Sequence, residues 1–185
     1  MVKYSRAPAE PSKTAMSRVD DLRAHYKNTY ETAKAVNGMM LKKAINYYEA
    51  VLDHRQCIPF YRYTRHIGRT AQAKLFKRSQ GRWPEKSVRH MHSLLKNLAS
   101  NCEAKGLDLE RCYVSHVVVQ RAVAGRRRTF RAHGRITPYL SSNCHVEFFA
   151  TEKAEGVKRA DDKKAVRLTK RQAAQTRLAV GGGHE

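Results

Sequence analysis

The sequence predicts an α/β fold of the α+β kind: three helices packed on a small antiparallel sheet, with a long protruding β-hairpin and extended basic termini. Three observations carry this. Residues 40–52 and 88–102 repeat apolar side chains at helical spacing, residues 112–119 and 145–150 have strand character, and 185 residues suit one core with extensions rather than two cores. Between the two strands, residues 111–146 hold seven arginines and no Asp or Glu.

Taken in order, residues 1–27 carry two prolines, small residues and scattered charge without a helical or strand period, and read as an extended arm. They hold no apolar run of signal-peptide length and no later segment approaches membrane-spanning length, so an intracellular protein without membrane insertion is expected. Asn28-Thr29-Tyr30-Glu31 matches a capping box, with Asn28 accepting an early amide and Glu31 reaching back, and predicts a short helix to Val36 that stops at Asn37-Gly38. Met40, Leu41, Ala44, Ile45, Tyr48, Val51 and Leu52 make one helical face. The stretch 54–84 has no acid and eight Lys or Arg interleaved with Phe60, Tyr61, Tyr63, Phe76 and Trp83. A loop of that length is functional or ordered by a partner. Pro84-Glu85 opens the third helix, striped by Val88, Met91, Leu94, Leu95, Leu98, Ala99 and Cys102, and Gly106 ends it.

The two strands are expected to pair as a hairpin over 111–150, within a single domain of residues 28–153 that also carries the basic loop 55–84. At about 3.3 Å per residue its arms reach about 30 Å. Gly125 and Gly134 permit close approach or positive φ, and Pro138 interrupts pairing, so an irregular tip is expected. Residues 154–185 read as a basic tail, helical somewhere between 162 and 178 and disordered at its end.

Lys and Arg number 37 against 16 Asp and Glu, a net charge of +21 with pI near 10.2. Charge spread over nearly every segment suits a protein surrounded by a polyanion. An anionic membrane surface calls for an amphipathic helix with aromatic anchors or a lipidation signal, and neither is evident. The arginine-rich tip cannot bury its guanidinium groups without carboxylates. Nucleic acid supplies the missing partner, since phosphates accept Arg bidentately and bases stack on guanidinium planes. The candidate RNA-binding residues are Arg62, Arg65, Arg69, Lys74, Lys77, Arg78 and Arg82 in the loop, and Arg121, Arg126, Arg127, Arg128, Arg131, His133 and Arg135 in the hairpin. Tyr61, Tyr63, His66 and Trp83 are candidates for stacking on bases, and Phe60, Phe76 and Trp83 equally for packing under the loop.

No metal site or cofactor is expected. His90 and His92 stand two apart on a helix and point different ways, and Cys112, even facing Cys144 across the hairpin, lacks the further ligands that zinc needs. Four cysteines without CxxC spacing read as reduced thiols. No phosphate cradle, paired-acid site or nucleophile elbow is present, so no enzyme is expected.

Several collinear segments resemble the universal large-subunit ribosomal protein family numbered twenty-two in bacteria and seventeen in eukaryotes: Lys27-Asn28-Thr29-Tyr30-Glu31-Thr32-Ala33, Gly68-Arg69-Thr70-Ala71-Gln72-Ala73-Lys74, Gln80-Gly81-Arg82-Trp83-Pro84, Leu95-Lys96-Asn97, Lys105-Gly106-Leu107-Asp108, and the tip from Arg126 to Ile136. They span roughly residues 4–153. The long 55–84 segment resembles the eukaryotic and archaeal form, which implies a cytosolic ribosome. The resemblance implies a body set on ribosomal RNA at the subunit surface near the tunnel exit, and a hairpin running inward to line the nascent-peptide tunnel. Tunnel-lining candidates are then Arg127, Arg128, Thr129, Phe130 and Arg131. It also implies neighbouring large-subunit proteins, the nascent polypeptide and exit-site targeting factors as partners, a cytoplasmic location, and passage through the nucleolus during assembly. A free RNA-binding regulator or RNA chaperone, releasing RNA readily in salt, is the alternative.

Overall fold

The computed structural model describes residues 4–154 and 168–178, and the chain divides into two units, 1–154 and 155–185. In the first unit the elements are β1 (Thr14–Leu22), α1 (Tyr26–Val36), α2 (Leu41–Leu52), β2 (Ile58–Pro59), β3 (Gly81–Arg82), α3 (Glu85–Ala104), β4 (Cys112–Arg121), β5 (Arg126–Phe130), β6 (Ile136–Leu140) and β7 (Cys144–Glu152). The second unit contributes α4 (Lys170–Leu178), which lies inside the expected 162–178 window. Thr169 donates its amide and hydroxyl to Gln172 Oε1, both at 3.0 Å, which caps α4. The expectations for 155–167 and for the last residues lie outside the described residues.

The main sheet has the order β1-β7-β4, all antiparallel, so β7 is the central strand. One face of β7, Cys144, Val146, Phe148 and Ala150, enters the core formed with α1, α2 and α3, where it meets Val36, Tyr48, Val88, Met91, Leu95 and Leu98. Its other face, Glu147 and Phe149, is also buried, because the N-terminal segment crosses it. Tyr4 packs edge-on against Phe149 at 5.6 Å, and Ser5 donates its amide and hydroxyl to Glu147 Oε2 at 2.9 and 2.6 Å. Burial alone raises the Glu147 carboxyl pKa; the Ser5 hydrogen bonds and Arg18 outweigh it and leave the carboxyl below its ordinary value. His116 stacks on Phe149 at 4.7 Å, and its Nε2 is buried without a hydrogen-bond partner among the described residues; burial lowers its pKa and favours the neutral ring.

Four expectations need correction. Residues 14–22, assigned to an extended arm, are an edge strand. Its buried positions include Thr14 and Ser17, which hydrogen-bond Thr151 and Asn97, so polar residues occupy places that an apolar period would mark. The capping box is not one: α1 begins at Tyr26, His25 makes no side-chain cap, and Glu31 lies inside the helix and fully buried. Cys112 and Cys144 do not face each other, since the register sets Cys112 opposite Glu152 and Cys144 opposite Arg121. Cys112 meets Cys102 instead, and burial first, then Cys112, pushes the Cys102 thiol up to about 12. All four cysteines are free and buried. The tip is not irregular: β5 and β6 form a five-pair ladder from Arg126↔Leu140 to Phe130↔Ile136, with Pro138 opposite Arg128 on a two-stranded ribbon that no third strand among the described residues joins.

The helix stripes are where the spacing puts them. Gly38 and Gly106 take positive φ, 82° and 69°, just past the ends of α1 and α3, as an αL termination requires. Tyr47 and Tyr48 are buried but not orphaned: their hydroxyls donate to Cys57 O at 2.7 Å and Thr32 O at 3.0 Å, and burial raises both phenol pKa values.

Candidate nucleic-acid interface

The acid-free loop is held by one buried acid from outside it. Glu31, projecting from α1, accepts the backbone N–H groups of Tyr61 at 3.1 Å, Arg62 at 2.8 Å and Tyr63 at 2.8 Å. A fully buried carboxylate is tolerated because three amides satisfy it. The same bonds pin the chain where it turns outward. Beyond this point β2 pairs with β3, Arg69 bridges Gln80, and Gln80 Nε2 donates to Thr64 O and Ile67 O at 3.1 and 3.0 Å. The 30-residue excursion is therefore folded, tied by backbone hydrogen bonds within itself and to Glu31, with its cations left outside.

Arg62, Arg65, Arg69, Lys74, Lys77, Arg78 and Arg82 are all exposed. Arg78 lies over the Tyr61 ring at 4.8 Å, Arg62 over Tyr30 and Tyr63 at 5.7 and 5.8 Å, and Arg82 donates to His66 O at 3.0 Å. The aromatic residues divide. Phe60 is core, Phe76 packs on Tyr47 at 6.1 Å, and Trp83 is half-buried with Nε1 donating to Gln72 Oε1 at 3.1 Å. Tyr61 and Tyr63 stay partly open, beside Lys34 and Lys27.

The hairpin presents the second basic surface. Arg121, Arg126, Arg127, Arg128, Arg131, His133 and Arg135 are exposed, and Phe130 is 80 % exposed. The ribbon turns through Ala132–Gly134, with His133 at φ 59° and the Arg131 amide closing on Arg135 O at 2.8 Å. Side chains alternate across it. One face carries Arg127 over the Tyr139 ring at 4.9 Å and Thr129 bonded to Thr137 at 2.7 Å; the other carries Arg126, Arg128, Phe130, Ile136, Pro138 and Leu140. One aromatic cluster, Tyr26, Tyr30 and Tyr63, takes a cation from each surface: Arg62 of the loop lies over Tyr30 and Tyr63, and Arg121 of the hairpin lies 4.9 Å over Tyr26. Sequence reasoning passed over Tyr26, Tyr30 and Lys27; the Tyr-x-x-x-Tyr spacing on a helix was the available signal.

Among the described residues, no ion pair involves an Arg or Lys between 62 and 82 or between 121 and 135. The carboxylates of the body pair instead with Lys13, Arg18, Lys42, Arg55, Arg89 and Arg111. No group of three or more His, Cys, Asp or Glu side chains able to hold a metal ion occurs among the described residues, and no helix there is long and apolar enough to cross a membrane.

Among the described residues the acids pair within the body and two arginine surfaces are left without ion pairs, the charge distribution of a basic protein suited to a polyanion. The family model for ribosomal protein L22p/L17e matches residues 17–151. The chain is 50 % identical over 183 residues to the large ribosomal subunit protein uL22 of Theileria annulata, covering 98 % of each. It is 52 % identical to uL22A of Saccharomyces cerevisiae, over 97 % of this chain and all of the yeast protein, and 53 % identical to uL22 of Zea mays, over 88 % and 95 %. The chain belongs to the L22p/L17e family of large-subunit ribosomal proteins, in its eukaryotic cytosolic form, a family of structural rather than enzymatic proteins.

Proposed function

We propose that this protein binds large-subunit ribosomal RNA through the loop and hairpin surfaces, with its body near the tunnel exit and the β5–β6 ribbon running inward to line the nascent-peptide tunnel. The observation that carries the reading is the ribbon itself: five arginines within ten residues, 126–135, all exposed and without an ion pair among the described residues. Phosphates pair such groups bidentately, release counterions and let RNA segments approach one another. Arg62, Arg65, Arg69, Lys74, Lys77, Arg78 and Arg82 position the body on the backbone, and Arg121, Arg126, Arg127, Arg128, Arg131, His133 and Arg135 anchor the hairpin.

The alternation of β5 divides the tunnel-lining set. Arg127 and Thr129 belong to one face, Arg128 and Phe130 to the other, and Arg131 stands where the turn begins, so one face meets RNA while the other meets the growing peptide. Neighbouring large-subunit proteins and exit-site targeting factors meet what remains of the surface, and the protein joins the subunit in the nucleolus before serving in the cytoplasm.

Sedimentation of the tagged chain from a cell lysate tests this reading. Co-migration with the large subunit through raised salt and magnesium chelation is expected. Release to the top of the gradient by moderate salt would overturn it and favour a free RNA-binding regulator.

A further inference from the structure

At the junction of α1 with the base of the hairpin lies a cleft of about 390 Å³, walled by His25, Tyr26, Lys27, Arg121, Leu140 and Ser142. That volume falls at the lower end of the range for ligand pockets, about 300–1,000 Å³. It exists because the hairpin ladder is interrupted there. Between β4–β7 and β5–β6, Ala122 N–H donates to Asn143 O at 3.0 Å and Ser141 N–H to Gly125 O at 3.0 Å, and between these bonds Val123 and Ala124 on one side stand against Ser142 alone on the other. Gly125 N–H also donates to Ser141 Oγ at 3.0 Å, and a Cβ at Gly125 would stand 2.7 Å from that oxygen and turn it aside. The helix is tied to the same gap by the Tyr26 amide, which donates to Ser142 O at 3.0 Å.

We propose that this cleft is a binding site for a single unpaired RNA base. This rests on the RNA-binding reading above and names a subsite within it. The Arg121 guanidinium lies 4.9 Å over the Tyr26 ring and has no ion pair among the described residues. Tyr26 is itself buttressed by Tyr63 and Tyr30, with centroids 6.2 Å away in each case. A base entering the cleft stacks on the Arg121 plane, giving a base–guanidinium–tyrosine column, while Ala122, Ala124 and Leu140 supply an apolar floor. Lys27 and His25, both exposed at the rim, take the flanking phosphates. Duplex RNA cannot enter, because its bases are already stacked.

The full-length protein is titrated with a short oligoadenylate, with the abasic oligomer of equal length and with duplex RNA. Arg121→Lys keeps the charge and loses the plane; Tyr26→Leu removes the ring behind it. Each should weaken oligoadenylate binding about tenfold, the loss of one stacked base, and Tyr26→Leu, which removes no charge, should leave the abasic and duplex RNAs within about twofold. Arg121 is exposed, so its replacement preserves the fold, and thermal melts of both variants verify this. Equal weakening toward all three RNAs, or none toward any, overturns the cleft while sparing the general reading. Failure of the unaltered protein to bind any of them overturns both.

Discussion

The inner half of the hairpin, β4 with β7, and its outer half, β5 with β6, are built of the same antiparallel ladder and differ in what stands behind it. The inner half has β1 as a third strand, three helices on one face and the N-terminal segment on part of the other. The outer half has exposed residues along both strands apart from a half-buried Thr129. An isolated two-stranded ribbon is marginal in water, and this one also concentrates positive charge. The difference teaches where each half draws its stability: the inner half from its own core and, on the function proposed above, the outer half from bound RNA.

Substitutions should separate the halves on a single scale, the melting of the free protein. Phe148→Ala empties the centre of the core and should cost about 3–5 kcal/mol, lowering Tm by roughly ten degrees or more. Glu31→Ala should follow at about 2–4 kcal/mol, because three loop amides lose their acceptor. Limited proteolysis should then cut between residues 61 and 78, sites resistant in the parent; unchanged proteolysis would show that β2–β3 pairing alone holds the loop.

Glu147 predicts a pH effect of known sign. Its folded carboxyl lies below the ordinary value of 4.5, so its contribution is complete above that pH and is lost as pH falls through the lower folded value. Glu147→Gln should therefore flatten the acid limb of the stability profile. The smallest effect on melting belongs to the triple change of Arg126, Arg127 and Arg128 to Ala, expected below about 1 kcal/mol since exposed positions rarely matter. The same variant should incorporate poorly into large subunits. A large drop in Tm would place the ribbon among the elements that hold up the body.

The legible part of the sequence was the part in which side chains follow a period. The stripes of α2 and α3 and the apolar runs of β4 and β7 lead directly to the observed core, and the acid-free stretches lead to the exposed cations. β1 was hidden because its buried threonine and serine are paid for by hydrogen bonds to Thr151 and Asn97, partners far along the chain. Glu31 was misread for the same reason. Its spacing fits a local cap, whereas its partners are backbone amides some thirty residues away, which leave no trace in side-chain identity. The Tyr26–Arg121 contact joins a helix start to a strand end and becomes visible only once the register is known.

Hydrogen exchange of the full-length protein, free and within the large subunit, tests the division of the hairpin most directly. Amides of β4 and β7 should be protected in both states, while those of 126–140 should exchange within seconds in the free protein and become protected in the subunit. Protection of 126–140 in the free protein equal to that of β4 and β7 would contradict the account.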